Sequence, residues 1–332
     1  VLSLVLGSSV YAFTIMLATF LVGLGLGSIA FAPFVDRFKK PILWFAALEA
    51  IIGLFALASV FIYRELPFIF FNLKDAFAER FWLFLIIEFL LAAAVMIIPT
   101  LSMGAIFPLV NRIYSQGFTR SIGKKVGDIY FFNTTGAIVG SAAGGFLMIP
   151  LIGVQNGVVL TAALNILISI VLLYYSGITM FRKLLGSAAF ATAFVLMTVA
   201  LPQWEKMPMT MGLYINQYDN DTGSLSFKDW DFNEQLLYYK EGLNAIITVR
   251  GSGPNLEVIS YQSNGKQEAR SESGKPSWSW SILGHIPMML HNSELKDTLL
   301  VGLGSGITLG AMEYYPVNSI DVVELEPGVV DA

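Results

Sequence analysis

Long apolar runs in the first two hundred residues limit most strongly how this chain can fold. A helix needs about 20 mostly apolar residues to cross the roughly 30 Å hydrocarbon core of a bilayer. Six stretches approach or exceed this length: residues 8–34, 42–63, 81–110, 129–150, 157–176 and 184–201. We therefore predict that residues 1–202 form a transmembrane helical domain, a bundle of about six spans in contact with membrane lipid.

Charge and composition divide the chain near Pro202 and exclude several classes of function. Only 13% of the 332 residues are charged, against roughly 25% in soluble domains. The charges are denser after Pro202, so we predict a soluble segment there. The net charge is −4 and no basic tract occurs, which argues against nucleic-acid binding. The chain has no cysteine and only two histidines, so disulfides and thiol nucleophiles are excluded and no metal site is expected.

Two carboxylates, Glu49 and Glu88, lie well inside predicted spans. An ionisable group in lipid is costly and by default marks a function, so both are candidates for a cation or proton pathway. The alternative is a protonated carboxyl group that is hydrogen-bonded to a neighbouring helix, through Asn133 or Asn165. The sequence leaves both interpretations open.

Glycines recur at four-residue intervals in two of the predicted spans. Gly23 and Gly27 form one such set, and Gly136, Gly140 and Gly144 form the other. This spacing puts small residues on one helix face and lets helices approach closely, so it predicts tight helix packing. A bundle arranged around a transport pathway is the functional alternative.

The segment after Pro202 begins with strand-like patterns. The runs LNAIITVRG and NLEVISYQ are rich in β-forming residues, and GSGPN and SNGKQ supply turns. We predict a small antiparallel sheet in residues 203–275. The following SWSWSILGHIPMMLH has the apolar spacing of an amphipathic helix and opens a second part, residues 276–332.

The end of the sequence alternates strand, glycine turn, helix and strand, which predicts the start of an α/β Rossmann-like domain. Gly302, Gly304 and Gly306 would let the backbone approach a nucleotide, and Glu324 ends the second strand, where a carboxylate can accept both ribose hydroxyls. The third glycine of a dinucleotide motif would fall at Ile307, so we favour an adenosylmethionine-type nucleoside. A purely structural glycine turn is the alternative.

Several segments resemble the spermidine synthase (polyamine aminopropyltransferase) family, in its membrane-bound bacterial subgroup. They are VGLGSGITLGAMEYYPVNSIDVVELEPGVV with the preceding GHIPMMLH, and LGSSVYAFTIMLATFLVGLGLGS and GDIYFFNTTGAIVGSAAGGFLMIPLIG in the membrane part. The resemblance implies a multi-span region followed by a small β-sheet and a truncated nucleoside-binding domain. It also implies decarboxylated S-adenosylmethionine, or a related nucleoside, as a co-substrate rather than a permanently bound cofactor, and a small-molecule amine as its partner.

The resemblance assigns candidate residues to the site. The nucleoside would be held by the loop residues Gly302, Gly304, Ser305 and Gly306 together with Glu324, and Asn244 lies where relatives have a glutamine that touches the same ligand. On the substrate side, His285 matches the His of the family's HxPL segment, and Trp280 lies in the segment before it.

Departures from the family pattern weaken the expected polyamine site. Ser305 stands where the family loop has an Asp that recognises the amine. Ser279, Trp280 and Ser281 stand where the family has a Tyr-(Gln/His)-Glu segment that helps to bind the polyamine. The family's catalytic Asp would lie beyond residue 332. No general base is therefore assigned in this chain, and we expect the chain to be inactive alone, as a fragment of a longer protein.

Three functions follow from these observations. The first is aminopropyl transfer from decarboxylated S-adenosylmethionine to an amine acceptor. The second is a polyamine or cation transporter or sensor with a synthase-like ligand-binding domain. The third is an adenosylmethionine-dependent methyltransferase. An oligomer is compatible with each of them.

The loops predict the orientation of a multi-pass protein of the cytoplasmic membrane. Basic residues cluster after the first, third and fifth spans, around Lys40, Lys125 and Lys183, and the positive-inside rule places these loops in the cytoplasm. Six crossings would then put the soluble segment outside. Because adenosylmethionine is a cytoplasmic metabolite, we expect instead that residues 184–201 do not cross and that the soluble segment is cytoplasmic.

Overall fold

The computed structural model describes residues 2–77, 80–115, 122–215, 234–292, 294 and 296–332. The chain divides into two compact units. The first, called here the membrane unit, is formed mainly by Ser8–Trp204. The second, the C-terminal unit, combines Ser3–Gly7 with Glu205–Ala332.

Helices make up the membrane unit. They are α2 (Val10–Val35), α3 (Pro41–Phe77), α4 (Phe81–Ser115), α5 (Ile122–Ala142), α6 (Ile149–Tyr175) and α7 (Met180–Ala200). The short α1 (Leu2–Leu6) at the start of the chain is assigned mostly to the C-terminal unit. A six-residue π-helical stretch, Ala143–Met148, joins α5 to α6. The predicted multi-span helical bundle is therefore confirmed.

Within the described part of the chain, five helical segments are long and apolar enough to cross a membrane. The fourth, Gly123–Tyr175, is 53 residues long and would measure about 80 Å if straight, far more than the roughly 30 Å that a crossing needs. The backbone of Gly153 is non-helical, with φ 78° and ψ 167°. This break lies between the two spans that the sequence predicts here, 129–150 and 157–176.

Close helix approach organises the core of the membrane unit. A Cβ atom built on Gly27 would overlap the carbonyl oxygen of Leu101, and one on Gly104 would overlap that of Leu24, so α2 and α4 touch backbone to backbone. Helices α3 and α6 meet similarly, because the Ser169 hydroxyl donates to the carbonyl oxygen of Ala46 at 2.6 Å. The predicted packing role of Gly27 thus has a partner surface on α4.

The helix ends that flank the three basic loops lie at one end of the membrane unit. Lys40 donates from Nζ to the carbonyl oxygen of Gly177 at 3.0 Å, which joins the loop after α2 to the loop before α7. Val35 at the end of α2 packs in one buried cluster with Leu109 near the end of α4. Lys125 at the start of α5 donates to a carbonyl oxygen in the last turn of α4 at 2.9 Å.

The last helix of the membrane unit runs from this basic end to the opposite end. It starts beside Tyr174, whose carbonyl oxygen accepts a hydrogen bond from Lys183 at 2.6 Å. Beyond its end, Gln155 next to the Gly153 break donates to the carbonyl oxygen of Pro202 at 2.8 Å. The sequence-based expectation that residues 184–201 do not cross is therefore not supported, because α7 has 21 apolar-rich residues and spans the unit.

The described part of the C-terminal unit contains two sheets. The first is an antiparallel meander of β1 (Glu234–Glu241), β2 (Ile246–Ser252), β3 (Val258–Ser263), β4 (Lys266–Glu272) and β5 (Lys275–Pro276). The second is a parallel pair, β6 (Asp297–Val301) and β7 (Ser319–Val323). A short α8 (Lys206–Met209) precedes the sheets; α9 (Trp278–Leu290) lies between them, α10 (Ile307–Met312) connects β6 to β7, and α11 (Pro327–Val330) follows.

Local sequence explains the main features of these sheets. Asn264 and Gly265 connect β3 to β4 with φ of 51° and 79°, the two left-handed positions that an Asn-Gly hairpin turn requires. The strand–glycine turn–helix–strand order predicted for the end of the chain is also present. The predicted antiparallel sheet followed by a β-α-β unit is thus confirmed.

Candidate functional site

A cavity of about 280 Å³ opens between the antiparallel sheet and the glycine loop that follows β6. The loop supplies Leu303 to Gly306 and α10 supplies Ile307, while the sheet supplies apolar side chains together with Tyr261 and Arg270. Its volume lies near the lower end of the range for small-molecule sites. The cavity therefore brings the predicted nucleoside loop against a wall that sequence reasoning did not assign.

Positive φ angles shape the glycine loop. Gly302, Gly304 and Gly306 have φ of 89°, 54° and 74°, in the left-handed region that favours glycine. The N–H of Gly302 donates to the carbonyl oxygen of Val323 at 2.8 Å, which ties the loop to the end of β7. A Cβ built on any of these three glycines would meet no other atom within 4 Å, so the backbone conformation, rather than crowding, explains glycine there.

Glu324 is held beside this loop by backbone donors. Its Oε2 accepts from the N–H groups of Leu303 at 2.7 Å and Gly304 at 3.4 Å, and its Oε1 accepts from Glu326 at 2.9 Å. Partial burial raises the pKa of Glu324, but the backbone hydrogen bonds from Glu326, Leu303 and Gly304 lower it more, so the pKa lies below its ordinary value. The group is therefore a fixed carboxylate next to the cavity.

Tyr261 marks the sheet side of the cavity. Burial and, to a smaller extent, the nearby carboxylates of Glu324, Glu268 and Glu326 together raise the pKa of its phenol to about 12. The hydroxyl group is therefore a neutral hydrogen-bond donor at physiological pH. It is a candidate binding group that the sequence did not reveal, because a tyrosine in a strand gives no signal of a site.

Glu326 is a second group that sequence reasoning missed. It is 6% exposed, and its carboxylate accepts from the N–H of Asn244 at 3.0 Å and from that of Gly328 at 3.3 Å. A Cβ on Gly242 would overlap this carboxylate, so the β1–β2 turn packs directly on it. The available signal was an acidic residue before Pro327 at a helix start, a pattern typical of an N-cap.

Asn244 is therefore tied to the site through its backbone. Its N–H bonds Glu326, and the residue is exposed and does not line the cavity. A second link between the same segments is the ion pair of Lys240 with Asp331. The predicted contact of the Asn244 side chain with a nucleoside stays a prediction, while its backbone positions the segment that follows Glu324.

The predicted substrate-side residues occupy two different places. His285 lies on α9 with its Nδ1 3.1 Å from the Tyr315 hydroxyl, and neither residue lines the cavity. One residue earlier, Gly284 packs on α10, where a Cβ would lie 2.6 Å from the carbonyl oxygen of Thr308. His285 is thus placed where α9 packs against the β-α-β unit.

Trp280 lines a separate, open cleft of about 710 Å³. Ser279 and Trp278 line it with Trp280, as do the charged residues Arg270 and Lys275. Arg270 is shared, because it lines both this cleft and the cavity at the glycine loop. Arg270 thus connects the cleft of Trp280 to the cavity at the glycine loop, and His285 lines neither of them.

The intramembrane carboxylates do not form a pair. Phe70 on α3 packs on Phe84 on α4 with ring centroids 5.6 Å apart, so Glu88, one turn beyond Phe84, is level with the second half of α3. Glu49 precedes Phe70 by 21 residues, roughly 30 Å along the helix axis. The two groups thus lie towards opposite ends of the unit.

Glu88 is nevertheless unusual in its surroundings. It is 4% exposed, and it makes no hydrogen bond or ion pair with another described residue. Asn165, one of the two predicted partners, donates instead to the carbonyl oxygen of Thr161 on its own helix at 2.8 Å. Asn133, the other, lines a cavity between α4 and α5 that contains neither carboxylate. In the described residues, no group of three His, Asp or Glu side chains could hold a metal ion.

Two curated proteins resemble the chain over nearly its whole length. One is a polyamine aminopropyltransferase of Corynebacterium efficiens, 22% identical over 331 residues that cover 98% of this chain and 56% of the relative. The other is a polyamine aminopropyltransferase of Oceanobacillus iheyensis, 22% identical over 342 residues that cover 99% of this chain and 57% of the relative. No protein-family model and no solved structure matches the chain. The chain spans a little over half the length of these relatives, and the two matches support a distant relationship to the polyamine aminopropyltransferases.

Proposed function

We propose that the chain is part of a membrane-bound, spermidine synthase-like protein that binds an adenosylmethionine-derived nucleoside and transfers its three-carbon chain to an amine. The observation that carries this proposal is the cavity between the glycine loop and the antiparallel sheet, with the fixed carboxylate of Glu324 beside it. The names of the two relatives support the reaction. The co-substrate is decarboxylated S-adenosylmethionine or a related nucleoside, and polyamine is not assigned as the acceptor.

The residues of the site take separate roles in this proposal. Glu324 accepts the ribose hydroxyls with the carboxylate lone pairs that the backbone donors leave free, since a carboxylate offers about four acceptor positions. The glycine loop with Ser305 allows the nucleoside to approach the backbone, and the Tyr261 hydroxyl donates to it. Asn244 holds Glu326, and through it the chain that follows β7.

The reaction is a nucleophilic displacement at carbon. The amine nitrogen attacks the carbon next to the sulfonium, the carbon–sulfur bond breaks, and methylthioadenosine leaves with the electron pair. The proton lost by the amine passes to a general base that is not assigned among these residues. The chain contributes binding and orientation, which can supply a large part of the rate of a two-substrate reaction.

Calorimetric titration of the full chain in detergent with methylthioadenosine tests the nucleoside site. We expect binding, and we expect Glu324→Gln to weaken it about tenfold or more, because a charged acceptor of hydrogen bonds is lost. Glu313→Gln, an exposed carboxyl group at the end of α10, is the matched control and should bind as the parent does. A parent chain that fails to bind methylthioadenosine would contradict the proposal.

Product analysis of the longer protein separates the transferase from a methyltransferase on the same scaffold. Transfer of the three-carbon chain releases methylthioadenosine, whereas methyl transfer releases S-adenosylhomocysteine. Because both use the same nucleoside cavity, only the leaving group distinguishes them. Release of S-adenosylhomocysteine without any methylthioadenosine would exclude the aminopropyl reaction.

A transporter or sensor is the second candidate, and the surroundings of Glu88 favour it. A carboxyl group that is 4% exposed and has no described partner is expensive in a membrane and is retained most simply for function. Uptake of labelled polyamine into vesicles tests this, with Glu88→Gln and Glu49→Gln compared with the parent. Uptake that neither variant changes would contradict a cation pathway through these groups.

The membrane orientation follows from the two ends of the membrane unit. We propose that the unit lies in the cytoplasmic membrane, and that Lys39 in a basic loop and Gln203 after α7 lie on opposite sides of it. The chain has no cysteine, so Lys39→Cys and Gln203→Cys, both at exposed positions, can be labelled singly in intact cells with an impermeant maleimide. We expect one to be labelled and the other protected.

This labelling also bears on the transferase. A protected Gln203→Cys would place the following residues in the cytoplasm, where the nucleoside donor is available. A labelled Gln203→Cys with a protected Lys39→Cys would agree with the positive-inside rule and would count against a cytoplasmic donor. Labelling of both from one side would contradict the end-to-end course of α7.

A further inference from the structure

The charge on the cavity wall bears on which nucleoside the cavity accepts. Among the described side chains that line it, Arg270 is the one that carries a formal charge. Glu324, which is bonded to the loop, and Glu326, two residues later, both accept hydrogen bonds from backbone N–H groups. Arg270 is therefore the group on the described cavity wall that can pair with an anion, and the negative charges of Glu324 and Glu326 remain beside the cavity.

Arg270 retains donors for a ligand. It lies on β4, its side chain is 45% exposed, and its Nη2 is 2.7 Å from Oε1 of Glu272. A guanidinium group has five N–H donors in a planar fork, so the contact with Glu272 leaves most of them for other partners. A carboxylate is the group that this fork binds best, because two parallel hydrogen bonds can form.

The glycine loop adds a neutral group at the same cavity. Ser305 lines it between Gly304 and Gly306, and its hydroxyl can donate to a carboxylate or accept from an ammonium group. The cavity wall thus has a cation and a hydroxyl for the amino-acid end of a ligand, and no carboxylate side chain among its described lining residues. The ammonium group of a ligand that lacks its own carboxylate would lie beside the Arg270 cation, with no acidic side chain among the described lining residues to pair with it.

We propose that the cavity binds adenosylmethionine with its carboxylate intact, in preference to the decarboxylated form, and that Arg270 pairs with that carboxylate. This inference rests on the proposed nucleoside site. The displacement described above then transfers a 3-amino-3-carboxypropyl chain: the amine nitrogen bonds the carbon next to sulfur, the carbon–sulfur bond breaks, and methylthioadenosine still leaves. Donor selection, and not the type of reaction, is what Arg270 changes.

Three ligands titrated against the full chain in detergent separate this inference from the proposed function. Methylthioadenosine has no amino-acid end and reports on the nucleoside site alone. Intact and decarboxylated adenosylmethionine differ by the carboxylate. We expect the intact form to bind about tenfold more tightly than the decarboxylated form, a typical effect of one charge-assisted pair.

Two variants test the assignment to Arg270. Arg270→Gln should abolish the preference while methylthioadenosine binds as before, which shows that the variant is folded. Ser305→Asp, which adds a carboxylate to the wall, should shift the preference about tenfold towards the decarboxylated form. Lys266→Gln is the matched control, because Lys266 lies on the same strand, is 3.2 Å from Glu268, and does not line the cavity.

The possible outcomes distinguish the nucleoside site, the donor preference and the role of Arg270. Binding of methylthioadenosine with equal or tighter binding of the decarboxylated form overturns the inference and leaves the nucleoside site standing. A preference for the intact form that neither Arg270→Gln nor Ser305→Asp alters overturns the role of Arg270. Failure of all three ligands to bind overturns the proposed function, and this inference with it.

Discussion

Glycine has different structural roles in the two units of this chain. In the membrane unit, Gly27 and Gly104 lie in regular helices, and a Cβ on either would overlap a backbone carbonyl oxygen of the facing helix. In the C-terminal unit, Gly304 and Gly306 have φ of 54° and 74°, and a Cβ there would meet nothing within 4 Å. The first pair provides space between helices, and the second pair provides a backbone conformation.

The difference shows that a glycine pattern in a sequence has to be interpreted with its element. Four-residue spacing inside an apolar helix predicts packing, since it repeats on one helix face. Two-residue spacing after a strand predicts a turn, since left-handed conformations favour glycine. The same substitution, glycine to alanine, should therefore fail for a steric reason in one unit and for a conformational reason in the other.

The largest effect is expected for Gly27→Ala. The added methyl group would overlap the Leu101 backbone, and a backbone cannot turn aside as a side chain can, so α2 and α4 must separate. Overpacking of this kind costs about 1–3 kcal/mol. Gly25→Ala on the same helix, where a Cβ meets nothing within 4 Å, is the control. The melting temperature measured in detergent should fall for Gly27→Ala but not for Gly25→Ala. Equal melting temperatures of the two variants would contradict the α2–α4 contact.

Gly306→Ala should have the next largest effect. Alanine at φ 74° costs about 1–2 kcal/mol, because its Cβ crowds the following carbonyl group. The loop would relax and methylthioadenosine should bind about tenfold more weakly. Gly310→Ala, at a helical position of α10 that is equally open, should bind the ligand as the parent does. If both variants bind equally well, the loop conformation does not matter for the site.

A smaller, pH-dependent effect is expected at the carboxylate that holds the glycine loop. The pKa of Glu324 is lowered in the folded chain, so its contribution to stability is present above the unfolded pKa and is lost as the pH falls through the folded value. Glu324→Gln should remove this contribution. Acid unfolding followed by near-ultraviolet circular dichroism should show a difference between parent and variant that shrinks as the pH falls below about 4. A difference that does not change with pH would contradict a fixed carboxylate.

Sequence reasoning recovered the parts of the fold that depend on local pattern. The run 8–34 became Val10–Val35, and the Asn-Gly turn became the β3–β4 hairpin at Asn264. Hydrophobic length and turn chemistry determine such features within a few residues of the pattern itself. The β-α-β order at the end of the chain followed for the same reason.

The site was predictable only in its loop. Glu324 and the glycines carry a local signature, but Glu326 becomes part of the site through a hydrogen bond to Asn244, which is 82 residues away in sequence. Arg270 resembles an ordinary exposed strand residue until the sheet packs beside the loop. Contacts between distant segments depend on tertiary packing, and a single sequence has no local signal for them.

The smallest change in stability is expected for a glycine substitution on α5. This substitution tests whether four-residue glycine spacing in a helix always means close packing. Gly136, Gly140 and Gly144 share the spacing of the α2 glycines, yet a Cβ on any of them meets no atom within 4 Å. Gly140→Ala should therefore change stability by no more than about 0.5 kcal/mol, or raise it slightly through helix propensity. The unfolding measurement used for Gly27→Ala applies unchanged. A loss comparable to that of Gly27→Ala would mean that another helix covers this face in the intact protein, from an oligomer or from the longer chain, and that the second glycine set packs like the first.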